Sequence, residues 1–480
     1  MISASDSIAV FLFGLSFFIF VFYLIGQRPV IFVSFFFIIF SLAWRMSATM
    51  YIDLAGPVYS SQLVRSVGPG TATIGHSIAY IISLIPFLYF FRQDAIERWR
   101  DEAQRKRTPS GFLTLADATF ALSLVFLFFL FFDLVNRGPI PLFAHIERFV
   151  YTAQYAGTSH RFLIQYGNLI MFWWGMMFAA TYIRDRHFDR RILLLVGAIA
   201  AYAFLTGNRF SAFYSQISFF ITPWAAVIAL QHRRPDESSF SWMNRTFASR
   251  ASRLMAAGVV VALTGIISFA IYNNLANVRG YAGEEIWRQA FDRVLIQPSE
   301  IGWTSFERVF KSGQSLPSLV FDALFQHPLD PNRNTSIQYL MFATIGEPRT
   351  SDAILNGFQF AGGFPEIFFE LFGPYLAWPF LLGAGCVAAA LTAHVIRGTL
   401  RGDYASAFLS LYVLYGFYVM YIGGMLNFAT AQTYWIKIAA LAAAMLMERS
   451  LARGGLSLLP WTLFRLPQSA WLEWLFRQAP

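Results

Sequence analysis

The chain has 480 residues, of which 56% are hydrophobic and only 13% charged, with a mean hydropathy of +0.50 and 53 phenylalanines. That balance excludes an ordinary soluble domain and describes a polytopic membrane protein. The long apolar runs show no alternation, so the spans are helices rather than barrel strands. The net charge of +9 does not point to nucleic acid, because the basic residues follow topology. Cys386 is the single cysteine and falls in an apolar run, which excludes an intrachain disulfide and a cysteine metal cluster.

In chain order, apolar runs predict eleven spans, at about 7–25, 29–44, 74–91, 114–134, 163–183, 191–206, 211–230, 254–272, 374–395, 405–422 and 434–448. The first run follows an acidic start and leads directly into a second, which is not the pattern of a cleavable signal peptide. Short-loop Lys and Arg set the orientation. The loops 92–112, 184–191, 231–253 and 397–403 carry 17 basic residues, and the opposite short loops carry six, namely Arg45, Arg65, Arg137, Arg148, Arg161 and Arg209. The first set is therefore expected in the cytoplasm, with the N-terminus outside and the C-terminus inside. Arg92–Lys106 mixes signs at helical spacing and reads as a solvated helix near anionic headgroups. The tail from Leu451, with Trp461, Trp471 and Trp474, reads as an amphipathic segment on the membrane surface.

The domain plan is then spans one to eight over 1–272, an outer segment with a re-entry helix over 273–373, spans nine to eleven over 374–448, and a cytoplasmic tail over 449–480. The segment Asn273–Ala361 is the long excursion on the outer side. It returns through G-G-F-P-E-I-F-F-E-L-F-G, Gly362 to Gly373, where Pro365 and Pro374 bracket a short helix.

The candidate site residues lie where this excursion meets the bilayer. Arg209 in T-G-N-R-F and Arg279 in N-V-R-G either snorkel to headgroups or clamp a phosphate with their planar forks. Glu366 and Glu370, four apart, share one helical face. Each either pairs with an arginine or serves as a general base or hydroxyl ligand. His327 titrates near neutrality unless its surroundings intervene, and it is a structural or a catalytic loop histidine. Tyr272, Tyr281, Trp287, Trp303 and Tyr339 offer either packing or sugar-stacking faces. His76, His160 and His327 show no metal-ligand spacing, and the chain has no phosphate-binding G-x-x-x-x-G-K-[ST] loop and no G-x-S-x-G elbow.

Taken together, the eleven spans, the late outer excursion, Gly207-Asn208-Arg209 and the stretch Glu366/Glu370 running into Phe372-Gly373 resemble the bacterial O-antigen polymerase family, which joins polysaccharide repeat units. The resemblance implies a membrane-embedded, all-helical glycosyltransferase of the bacterial inner membrane. It implies polymerisation of undecaprenyl-pyrophosphate-linked oligosaccharides into O-antigen, capsule or exopolysaccharide, with no cofactor and no metal, in the company of membrane lipid and a chain-length regulator protein. In that scheme Arg209 and Arg279 hold the leaving pyrophosphate, Glu366 takes or orients the acceptor proton with Glu370 beside it, and His327, Tyr281, Trp303 and Tyr339 meet sugar or acceptor. Two rivals stand beside it. An O-antigen ligase would use the same arginines with a loop histidine. A transporter or flippase of the lipid-linked unit would carry ionisable residues deep in its spans, whereas the sequence puts most charges at span ends.

Overall fold

The structure is a computed structural model that describes residues 3–105, 112–144, 146, 148–186, 189–207, 210–231, 265, 268–269, 272, 275–276, 281–325, 336–355 and 362–453. It is almost wholly helical. In order come α1 (Ala4–Gln27), α2 (Pro29–Ser34), α3 (Phe36–Ala55), a small hairpin of β1 (Val58–Ser60) and β2 (Arg65–Val67), α4 (Ala72–Phe90), α5 (Gln93–Arg105) and α6 (Phe112–Asn136). Then follow α7 (Pro141–Ala144), α8 (Arg148–Gln154), α9 (Thr158–Asp185), α10 (Arg190–Leu205), α11 (Phe210–Ile221) and α12 (Trp224–Gln231). Beyond the excursion's start lie α13 (Glu284–Phe291), α14 (Glu300–Phe306), α15 (Pro317–Phe325), α16 (Ser336–Ile345) and α17 (Glu347–Leu355). The chain closes with α18 (Glu366–Arg401), α19 (Tyr404–Gly423) and α20 (Gln432–Arg453).

Among the described residues, seven helices are long and apolar enough to cross a membrane: α1, α3, α4, the stretch Leu115–Ala144, α9, α18 and α19. These are the dimensions of a helical membrane protein. Several expected spans take other forms. The run 191–206 is the 16-residue α10, and 211–230 is broken into α11 and α12 around Pro223, which lacks the N–H a continuous helix needs. The run 254–272 lies almost wholly outside the described residues. The second run does not stop at residue 44. Its helix kinks around Phe35 and continues as α3 to Ala55, so Arg45 and Asp53 lie inside a helix rather than in a loop.

α18 packs along α4 and α19, and α4 also packs against α1 and α3. Gly385 lets α18 approach the backbone of α4 at Ser83, the small-residue contact typical of helices packed in lipid. Aromatic rings fill the centre. Tyr80 stacks on Phe364 at 6.2 Å, Phe364 meets Tyr421 at 4.6 Å, and Phe35 meets Phe87 at 4.5 Å. Gly373, with φ 70° and ψ 179°, breaks α18, leaving Glu366–Phe372 as a short helix ahead of the long one from Pro374. This is the bracketed helix the two prolines imply.

The excursion does not simply cover the bundle. α13 and the π-helical turn Asp292–Ile296 pass down one side of α3: Phe291 meets Tyr51 edge-on, and the Trp44 indole N–H donates to the Val294 carbonyl at 2.8 Å. The chain turns at Gln297–Ser299 beside Arg45. α14 then returns along α3 and α4, with Trp303 bonded to Asp53 and Phe306 packed on His76. Every residue of α14 is buried. The pair forms a folded-back hairpin wedged against the bundle. Its level can be read from α1: Gly14 packs on the Met50 side chain, and the Ser77 hydroxyl donates to the Phe13 carbonyl at 2.7 Å. Gly14 lies about 15 Å from the start of α1 at Ala4, at 1.5 Å per residue, which is near the middle of that helix.

Candidate functional site

The ionisable side chains gather where the hairpin, α3, α4 and the start of α18 meet. α3 supplies Arg45, Thr49 and Asp53, spaced four apart on one face. α4 supplies Thr73, His76 and Tyr80, and α18 supplies Glu366 from its first turn. Arg45 Nη2 donates to both carboxylate oxygens of Glu366, at 3.0 and 3.1 Å, and Arg45 Nε donates to the Pro298 carbonyl at 3.3 Å. His76 Nε2 lies 2.8 Å from Glu366 Oε1, and its Nδ1 lies 2.7 Å from the Ala72 carbonyl. A carbonyl only accepts, so Nδ1 carries a proton. The Nε2–Glu366 contact then holds one further proton between imidazole and carboxylate. Arg45, His76 and Glu366 are 6%, 1% and 0% exposed.

This arrangement needs Gly302. A Cβ there would collide with Glu366 Oε1 and come within 3.0 Å of His76 Nε2. The turn is tied down as well. The Ser299 hydroxyl donates to the Arg45 carbonyl at 2.7 Å and accepts from Thr49 at 2.9 Å. One level further along α3, Asp53 accepts from the Thr73 N–H and hydroxyl, both at 2.7 Å, and from Trp303 Nε1 at 2.9 Å. Glu300 accepts from the Ser60 hydroxyl of the β-hairpin. Burial pushes the Glu300 carboxyl up to about 7, with the Ser60 bond opposing and the negative Asp292 reinforcing that shift. Among the described residues, Arg45 Nη1, the Tyr80 hydroxyl and Glu300 Oε1 have no hydrogen-bond partner although buried.

Several expected roles change on this geometry. Glu366 does not stand open to a substrate hydroxyl; both its oxygens are engaged by Arg45 and His76. Glu370 pairs with Arg308 of the π-helical turn Glu307–Lys311 and accepts the Leu316 N–H at 3.2 Å. Trp303 is not a sugar-stacking surface: it is 9% exposed and its indole is bonded to Asp53. Tyr339 is partly buried and its ring meets Phe342 at 6.2 Å. Tyr281 is partly buried, and its N–H donates to the Leu275 carbonyl at 3.1 Å. Arg209, Arg279 and His327 lie outside the described residues. His76 bonds to Glu366 and His160 to Tyr202, and no group of three or more His, Cys, Asp or Glu suited to a metal occurs among the described residues.

The sequence reading missed Arg45, Asp53 and His76 as one unit. Arg45 reads as a loop charge because the apolar run ends at residue 44. The available signal was the spacing Arg45–Thr49–Asp53, which puts two opposite charges on one face of a continuing helix. Nothing in the local sequence of α3 announces that Glu366 is their partner.

Two apolar grooves open on the outside of the helix bundle. One, of about 410 Å³, runs between α1 and α3 beside the hairpin and is lined by Phe18, Ser47, Met50, Tyr51, Leu54, Ala55 and Leu295. A second, of about 550 Å³, runs along α6 and includes Leu124, Phe128 and Phe132 with Ala198 of α10.

A family model described as a family of unknown function (DUF6418) matches residues 330–436. The matched stretch includes Glu366 and Glu370 but neither Arg45 nor His76. No curated protein and no solved structure matches the chain.

Proposed function

We propose that the protein is a membrane-embedded glycosyltransferase that polymerises undecaprenyl-pyrophosphate-linked oligosaccharide repeats at the outer face of the bacterial inner membrane. The observation that carries this reading is a juxtaposition. Two turns of α3 have a buried ion network on one face and a lipid-open apolar groove on another, with the folded-back hairpin between them. Backbone that is not a spanning helix is stable at membrane depth only when protein or a cavity surrounds it, and ionisable groups there mark function. A substrate with a hydrocarbon anchor and a charged, sugar-bearing head needs both surroundings at once.

In the reaction, the bond between the donor's anomeric carbon and the pyrophosphate oxygen breaks, and the pyrophosphate leaves with the electron pair. The hydroxyl oxygen of the next repeat bonds to that carbon, and its proton passes to the departing pyrophosphate. Arg209 and Arg279 stabilise the departing pyrophosphate. Glu366 is a positioning residue here. Held by Arg45 and His76, it fixes the start of α18 against the hairpin, and Glu370 does the same through Arg308.

A second reading, carriage of the lipid-linked unit across the bilayer, is favoured by one observation: Arg45, Asp53, His76 and Glu366 are buried together at the level of the middle of α1. Surface-glycan gels separate the two. A strain lacking the protein is expected to carry single repeats on its surface, with the ladder restored by complementation. An unchanged ladder in the deletion strain overturns the polymerase reading, and loss of even single repeats at the surface favours carriage.

A further inference from the structure

Two buried carboxyls of the folded-back hairpin meet the tip of the small β-hairpin. Ser60 and Ser61 are consecutive, and each holds one of them. The Ser60 hydroxyl donates to Glu300 Oε2 and the Ser61 hydroxyl to Asp292. Consecutive α-carbons lie about 3.8 Å apart, so both carboxyls converge on one turn. Glu300 is 0% and Asp292 5% exposed. The positive charges nearby stay in water. Arg288 acts on Asp292 from an exposed position, and Arg65, opposite Ser60 in the β register, is exposed as well. Burial, the Ser60 bond and the negative Asp292 are what bear on the Glu300 carboxyl. Two acceptor oxygens are then left over at this turn. Among the described residues, Glu300 Oε1 and Gln62 Oε1 are buried without a hydrogen-bond partner. Gln62 follows Ser61 directly, so one of these oxygens comes from the turn and the other from α14. The Ser60 hydroxyl gives its hydrogen to Glu300 Oε2 and accepts the Leu63 N–H at 2.9 Å, so it has no hydrogen left for either. Buried acceptors in this state call for a partner that is positive or donates a proton.

We propose that this turn binds a monovalent alkali cation, sodium, through Glu300, Asp292 and Gln62, with the two serine hydroxyls beside them. The ligand set is oxygen throughout, which suits a hard cation, and it holds no imidazole or thiolate to favour a transition metal. The charge count favours one positive charge. Arg288 offsets Asp292, and an ionised Glu300 remains as one uncompensated carboxylate. A divalent ion would leave excess positive charge in a buried turn, at a cost in desolvation. Bound here, the ion ties the β-hairpin to the folded-back hairpin, whatever reaction the protein performs. The proton is its competitor. Burial and the negative Asp292 keep the Glu300 carboxyl protonated up to about 7. Sodium therefore enters as pH rises past that value and offsets part of the stability that ionisation of Glu300 removes.

The test uses full-length protein in detergent and the sodium ion alone, with choline chloride at equal ionic strength as the comparison. At pH 8.5, sodium is expected to raise the melting temperature in a concentration-dependent way, and radioactive sodium to bind at one ion per chain. At pH 5.5 the proton on Glu300 competes, and sodium affinity is expected to be on the order of 30-fold weaker. Glu300→Gln, which cannot ionise, is expected to lose the sodium response, and Asp292→Asn to weaken it. If Glu300→Gln does not fold, the wild type at the two pH values decides the question without it. Equal melting in sodium and choline at pH 8.5 overturns the proposal and leaves Glu300 Oε1 with a proton as its only ligand. Sodium binding that is the same at both pH values, or that persists in Glu300→Gln, is a general salt effect and overturns it too.

Discussion

At the scale of single residues, the buried contact of Arg45 with Glu366 decides how the site behaves. Two charges withdrawn from water are tolerated because every oxygen of Glu366 is engaged and Arg45 also reaches the Pro298 carbonyl. Removing one partner leaves the other charged and unpaired, so Arg45→Ala and Glu366→Ala are each expected to destabilise the protein by about 3–5 kcal/mol. Arg45→Met with Glu366→Leu is expected to recover most of that loss. Thermal unfolding in detergent checks this; single variants that unfold with the wild type would remove the network from the stability account. Glu300 adds a pH dependence. Its folded value of about 7 lies above the ordinary 4.5, so the folded state holds a proton that the unfolded chain releases between those values. Stability therefore falls as pH rises through about 4.5 to 7, by on the order of 3 kcal/mol in all. Glu300→Gln, neutral throughout, is expected to flatten that slope in melting curves taken from pH 4.5 to 8.

At the scale of elements, the hairpin from Glu284 to Lys311 is held to α3 by a few directed bonds. Trp303→Phe keeps the ring's bulk but leaves Asp53 Oδ1 without its donor, at a cost of about 1–3 kcal/mol. The loss is expected to appear as faster amide exchange in α14 and the turn before it, with α19 unchanged; protection unchanged in α14 would show that the indole bond does not hold the hairpin. Gly302→Ala is the sharper probe, since its methyl must displace Glu366 or His76. The short helix Glu366–Phe372 was legible in the sequence because two prolines and Gly373 each restrict the backbone locally. The hairpin was not. Its fold depends on partners some 250 residues earlier in the chain, such as Trp44 with Val294 and Asp53 with Trp303. Local pattern shows only that Trp303 is aromatic near a boundary, which suits sugar stacking and core packing equally well.

At the scale of the whole molecule, composition and apolar runs alone made the all-helical membrane architecture legible, since hydrocarbon leaves the backbone few options. Run length was a weaker guide to helix ends. α3 continues eleven residues past the expected boundary at residue 44, because Arg45 and Asp53 interrupt hydropathy without interrupting the helix. That one shift moves a charge from the membrane's edge to the level of the middle of α1, and it joins three distant stretches into one network. The architecture places an apolar recess and buried charges on the same two turns of helix, the pairing on which the proposed function rests. The most direct measurement uses purified protein in liposomes supplied with an undecaprenyl-pyrophosphate-linked repeat. The expected result is a ladder of longer lipid-linked glycans, with one undecaprenyl pyrophosphate released for each bond formed. Repeats that cross the bilayer at unchanged length, with no undecaprenyl pyrophosphate released, would contradict the account.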